Sequence, residues 1–153
     1  MYDGVRRRLQ IRGQHAGVVI VEDYAHHPTE IAGTLEAVAW LEPKRIICIF
    51  QPHLFSRTKF FHDEFARVLS TVDQAIVTDI YPSREAPMPG VHASLIVDAA
   101  RKAGAQHVTL VADMDSVPSR IAQYLTPGDL VLVLGAGNIN RIVAPLLDEV
   151  RKR

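Results

Sequence analysis

Three short segments concentrate the side chains that could do chemistry. Asp23-Tyr24-Ala25-His26-His27-Pro28 places a carboxylate and two imidazoles close together. Such a set could bind a metal ion, or with His53 and His62 form a hydrolase site. Adjacent histidines on an extended turn usually point apart, however, and no H-x-H or H-E-x-x-H spacing is present. A structural role is also open: His27 can cap the following helix while Asp23 accepts loop amides. In a third role Asp23 grips a ribose diol and His26 faces a substrate. The second segment, Gln51-Pro52-His53-Leu54-Phe55-Ser56-Arg57, sets His53 and Arg57 on a loop entering a helix. A guanidinium there can take a carboxylate in bidentate fashion, and the helix N-terminus adds favourable field for the same anion. The plain alternative is a solvated first-turn arginine. The third, Gly135-Ala136-Gly137-Asn138-Ile139-Asn140, has the first two glycines of G-x-G-x-x-G but asparagine at the third position. Dinucleotide binding, pocket lining and a tight turn all remain possible for it. No G-x-x-x-x-G-K-[ST] loop occurs, so triphosphate is not cradled by that device.

These residues must be positioned by the elements around them. Five short apolar runs read as buried strands: Gly17–Val21, Arg45–Phe50, Ala75–Thr78, Val108–Val111 and Leu130–Leu134. None alternates with polar residues, as expected for a parallel sheet covered on both faces. Helix-period stripes fill the gaps. One runs through Ile31, Leu35, Val38 and Ala39, and another through Phe61, Phe65, Val68 and Leu69. Further stripes cover Leu95–Ala103, Ser116–Leu125 and Ile139–Val150. Pro145 should kink the last helix or mark a later start. Residues 5–14 alternate instead and read as an edge strand that hairpins into the first buried strand. The expected fold is α/β: an open, mostly parallel, Rossmann-like sheet with helices on both faces and an N-terminal antiparallel edge hairpin. In such sheets ligands bind beyond the carboxyl ends of the strands. All three segments follow strands there, as do Asp79-Ile80-Tyr81-Pro82-Ser83-Arg84-Glu85 and Ala112-Asp113.

Composition narrows the class. The 153 residues are 48% hydrophobic and 22% charged, with 17 basic and 17 acidic side chains. Zero net charge lacks the basic excess of a nucleic-acid binder, so no nucleic-acid partner is expected. No apolar run is long enough to span a bilayer, so no membrane association is expected and the cytoplasm is the expected location. The single cysteine, Cys48, excludes an internal disulfide and sits in a strand as a small core residue.

Four segments, in order and spacing, carry a resemblance. Asp23 to Glu30, Phe50-Gln51-Pro52-His53-Leu54-Phe55-Ser56-Arg57-Thr58, Asp79 to Glu85, and Gly135-Ala136-Gly137-Asn138-Ile139 resemble the C-terminal domain of the Mur ligases. The likeness covers essentially the whole chain from Gly4-Val5-Arg6-Arg7-Arg8 onward. The Phe50–Thr58 stretch follows the alanine-adding members, not the related recycling ligase that attaches a tripeptide. The resemblance implies that residues 1–153 are one domain of a longer three-domain enzyme in peptidoglycan synthesis. Its N-terminal domain would hold UDP-N-acetylmuramate, and its central domain the triphosphate and most of the Mg contacts. ATP with Mg would convert the sugar acid to an acyl phosphate, which L-alanine attacks. By the same resemblance Arg8, Asp23 and Tyr24 serve ATP, while His26, His53, Arg57, Gly135 and Ala136 serve the amino acid. No catalytic residue or metal ligand is expected on this domain, which alone should be inactive. Some members have arginine where this chain has Leu54, so carboxylate recognition here rests on Arg57. The alternatives are the related tripeptide-adding recycling ligase of the same family and a metal-dependent hydrolase using Asp23, His26, His27 and His53.

Overall fold

The computed structural model describes residues 8–153. Six strands form one sheet: β1 (Gln10–His15), β2 (Val18–Asp23), β3 (Arg45–Phe50), β4 (Gln74–Val77), β5 (Val108–Leu110) and β6 (Asp129–Leu134). Their order is β1-β2-β6-β3-β4-β5, with β1–β2 antiparallel and every other pair parallel. Five helices connect them: α1 (Pro28–Ala39), α2 (Phe55–Leu69), α3 (Ser94–Lys102), α4 (Val117–Ala122) and α5 (Val143–Arg151).

The run of β-branched and leucine residues in the strands divides by parity between two cores. Cys48, Phe50, Leu130, Leu132 and Leu134 join Ile31, Val38, Phe65, Leu69 and Ile96 on one face, under α1, α2 and α3. Ile47, Ile49, Val131 and Val133 join Val117, Ile121, Ile142, Leu146 and Val150 on the other, under α4 and α5. This double coverage is why the strands lack polar alternation.

The expected hairpin exists, but with different bounds. The strand runs on through Gly13 to His15, and its pairing slips between Ile11 and Gly13. That bulge bends β1 over α5, where Leu147 packs directly against Gly13. Residues 5–7 of the expected strand lie outside the described residues. Two helices are shorter than their stripes. Ser116–Leu125 becomes a 3₁₀ turn (Met114–Ser116) followed by α4, and Ile139–Val150 begins with a 3₁₀ turn (Ile139–Ile142). Pro145 therefore marks a later start and does not kink α5, because a first-turn proline forfeits no helical hydrogen bond.

β6 separates β2 from β3, so the chain leaves the sheet on opposite sides of a central strand. The carboxyl ends of β2, β6 and β3 stand side by side, with Asp23 paired to Leu134 and Leu134 to Phe50. Such a point, where strand order reverses, leaves a crevice between diverging loops.

Candidate functional site

Each loop at this crevice is fixed by its own sequence. Asp23 closes β2 almost fully buried, at 3% exposure. Its carboxylate accepts Ala25 N–H at 2.7 Å and Leu9 N–H at 3.0 Å. His27 caps α1: its Nδ1 accepts Thr29 N–H, and Glu30 returns a bond from His27 N–H at 3.1 Å. The His27 ring also packs edge-on against Phe61. Asp23 and His27 are thus engaged by the backbone. Among the described residues no group of three or more His, Cys, Asp or Glu side chains is placed to hold a metal ion. The four-residue hydrolase centre on Asp23, His26, His27 and His53 is therefore not assembled.

His26, His53 and Tyr81 do assemble. His26 meets Tyr24 edge-on at 5.4 Å and His53 at 5.8 Å, and His53 stacks on Tyr81 at 5.6 Å. The loop before α2 holds His53 there. Tyr81 N–H donates to Pro52 O and Leu54 N–H to Tyr81 O, a short parallel bridge tying β3's exit to β4's. Leu54 accepts φ 75° to make this connection. A leucine in that region is strained, of the order of 1–3 kcal/mol, which tertiary contacts must offset.

Hydrogen-bond polarity assigns the two imidazoles opposite tautomers. Arg57 Nη1 lies 3.2 Å from His53 Nδ1, and a guanidinium only donates, so Nδ1 accepts and Nε2 carries the proton. His26 Nδ1 lies 3.1 Å from the Tyr24 carbonyl, which only accepts, so its proton sits on Nδ1. Burial, then the Arg57 charge, then His26, hold the His53 pKa below the ordinary histidine value. His53 is therefore a neutral donor at neutral pH.

Arg57 lies in the first turn of α2, half-buried, and pairs with no carboxylate among the described residues. The α2 N-terminus itself is not free. Glu85 accepts Ser56 N–H at 3.1 Å and the Ser56 hydroxyl, and these bonds hold its carboxyl below the usual range. The helix field expected to favour a ligand anion is thus already spent on Glu85. The Arg57 guanidinium bonds His53 and its charge acts on Glu85, but it forms no ion pair among the described residues.

The third wall is the turn after β6. Gly135 adopts φ +152°, and a side chain there would meet Ile139 at 2.9 Å. Gly137 lets Tyr81 and Gln51 abut the turn; a Cβ would lie 2.5 Å from Tyr81 Cγ and 2.7 Å from Gln51 Oε1. Its glycines thus serve close packing, the tight-turn reading of the sequence. Ala136 lies half-buried between them. Gln51, only 4% exposed, spans the gap: Oε1 accepts Ile139 N–H at 3.1 Å and Nε2 donates to Asn138 Oδ1 at 2.8 Å. Gln51, Tyr81 and Asn138, with Thr78, Asp113 and Arg141, line a cleft of about 560 Å³. A second hollow of about 300 Å³ is lined by Arg8, Leu9, Asp23, Glu30, Gly33 and Thr34.

The expected site residues therefore sort into two places. Arg8 and Asp23 share the smaller hollow. Tyr24, His26, His53 and Arg57 form a chain of contacts that reaches the larger cleft through Tyr81. Asp23 O accepts Gly135 N–H at 3.2 Å, which joins the two at the backbone. Gln51, Tyr81 and Glu85 were not legible as individuals in the sequence. Position was their only signal, since each follows a buried strand or its rim loop. Cys48 is fully buried and burial pushes its thiol pKa up, so it is no nucleophile.

Comparison with known proteins bears on this arrangement. A family described as the Mur ligase, glutamate ligase domain matches residues 7–137. A UDP-N-acetylmuramate–L-alanine ligase of Streptomyces avermitilis is 49% identical over 99% of the chain, and one of Streptomyces coelicolor is 50% identical over 99%. The chain spans about a third of the length of these relatives, 33% of each. The crystal structure of a UDP-N-acetylmuramate-alanine ligase from Thermotoga maritima matches with a TM-score of 0.78 and 26% identity, covering 97% of this chain and 31% of that one. A murein peptide ligase from Psychrobacter arcticus shares the fold, with a TM-score of 0.77 at 21% identity over 97% of this chain and 30% of that one. The family match over residues 7–137 and the near-50% identity over almost the whole chain agree: the chain belongs to the Mur ligase, glutamate ligase domain family.

Proposed function

We propose that the chain is the C-terminal domain of an ATP-dependent ligase that joins L-alanine to UDP-N-acetylmuramate in peptidoglycan synthesis. One observation carries the reading: half-buried Arg57, unpaired with any carboxylate among the described residues, sits beside the His53–Tyr81 stack at the crevice of a chain 49–50% identical to L-alanine ligases. A guanidinium so held suits a carboxylate brought by a small amino acid. In this reading His26, His53 and Arg57 orient L-alanine, with Gly135 and Ala136 as the wall behind it. The neutral His53 offers Nε2–H as a donor, and the His26 ring faces it edge-on.

Asp23 and Arg8 fit the ribose side of a nucleotide. Each Asp23 oxygen accepts one backbone N–H and keeps a second lone pair for a hydroxyl. Tyr24 lies between this carboxylate and His26. ATP supplies the phosphoryl group that activates the sugar acid, and Mg with the phosphates falls to the central domain. What this domain contributes is positioning: a small amine held near an activated acyl group reacts as if at high local concentration. The expected partners are the N-terminal and central domains of the same longer chain, in the cytoplasm.

The test is phosphate release with ATP, Mg, UDP-N-acetylmuramate and L-alanine. The longer ligase carrying this domain should show L-alanine-dependent release, and the 153-residue chain alone should show none. Turnover by the isolated chain, or a longer enzyme indifferent to L-alanine, overturns the reading.

A further inference from the structure

The hydrogen-bond polarity around Gln51 can be followed from an unambiguous end. The Ile139 backbone N–H can only donate, so the Gln51 atom 3.1 Å from it is the carbonyl Oε1. Gln51 Nε2 must then face Asn138, at 2.8 Å, and also lies 3.9 Å from Met114 Sδ. An amide nitrogen only donates, so the Asn138 atom it meets is Oδ1. The Asn138 amide is thereby fixed with its NH2 turned away from Gln51. That NH2 has no partner among the described residues, and half-buried Asn138 lines the large cleft. The Gln51 amide is itself buried and its bonds are all made, so nothing in the resting molecule turns the relay round.

We propose that Gln51 is a positioning residue that locks the Asn138 side-chain NH2 as a donor to a carboxylate oxygen of the amino-acid substrate. The inference rests on the L-alanine reading. Besides its amine, an amino acid with a methyl side chain brings one kind of strong acceptor, its carboxylate. Gly137 is part of the device, because only a residue without Cβ lets Gln51 Oε1 and the Tyr81 ring close on the turn from either side. Arg57 then supplies charge from beside the His53–Tyr81 stack, and Asn138 supplies a directed neutral donor from the cleft that Tyr81 also lines.

The test uses the longer ligase with Asn138→Asp and Gln51→Met. Asn138→Asp keeps the oxygen that Gln51 holds, removes the donor and puts a carboxylate oxygen in its place, which repels a bound carboxylate. It should raise KM for L-alanine about tenfold or more, as loss of a hydrogen bond to a charged group does. KM for ATP and the melting temperature should stay near wild type. Gln51→Met frees the amide to rotate and should raise the same KM. Combined with Asn138→Asp it should add little, since Gln51 acts through Asn138. An L-alanine KM within about twofold of wild type in Asn138→Asp overturns the inference, as does full additivity. If Gln51→Met does not fold, Asn138→Asp decides alone. A wild-type enzyme that does not use L-alanine sinks the functional reading and this inference with it; an active wild type with an indifferent Asn138→Asp sinks only the inference.

Discussion

The His53–Arg57 pair shows how one guanidinium sets the state of its neighbour. Arg57 fixes the His53 tautomer and, after burial, is the next cause that lowers its pKa. Removing the charge should move the His53 pKa upward toward, but not past, the ordinary histidine value, because burial persists. NMR titration of the histidine ring protons in Arg57→Ala reads this directly; an unchanged or lower pKa contradicts the assignment. The sign for stability also follows. A histidine whose folded pKa is depressed favours the fold at pH above its unfolded value and costs stability as pH falls through the folded pKa. His53 therefore contributes to loss of stability on mild acidification. At this scale the sequence was partly readable. Asp23, His26, His53 and Arg57 stand out by type and position. Whether His27 caps a helix or binds a metal is set by where its Nδ1 points, which spacing does not determine.

Among elements, α2 depends on a residue far from it in sequence. Its N-cap position, Leu54, has no capping side chain and a positive φ. Glu85 reaches over to serve Ser56 instead. Glu85→Gln should lower the melting temperature at neutral pH. Glu85's pKa is held below its ordinary value, chiefly by its Ser56 bonds, so its contribution is present above the unfolded carboxyl pKa and fades as pH falls through the folded one. The wild-type and Glu85→Gln melting curves should converge in acid; a gap independent of pH contradicts the cap. The sequence places a helix here from the stripe of Phe61, Phe65, Val68 and Leu69, entered through the loop that carries His53 and Arg57. It begins at Phe55, earlier than that stripe, because the distant Glu85 caps a start that local sequence does not. Likewise β1 overruns Gly13, because a bulge lets the glycine accept Leu147 where periodicity would end the strand.

For the whole molecule, the strand count, the mostly parallel sheet and the edge hairpin follow from apolar runs and their gaps. The place of β6 between β2 and β3 does not, since strand order is a matter of tertiary pairing. Yet that insertion brings the ends of β2, β6 and β3 together and makes a crevice from segments as far apart in sequence as Asp23 and Leu134. In the proposed account this crevice is one half of a site whose other half lies on the central domain. In that proposed site Arg57 reads the carboxylate of the incoming amino acid. Steady-state kinetics of the longer ligase bearing Arg57→Ala, with L-alanine and ATP varied separately, tests it most directly. KM for L-alanine should rise about tenfold or more while KM for ATP stays within about twofold. Equal losses for both substrates, or an unchanged KM for L-alanine, contradict it.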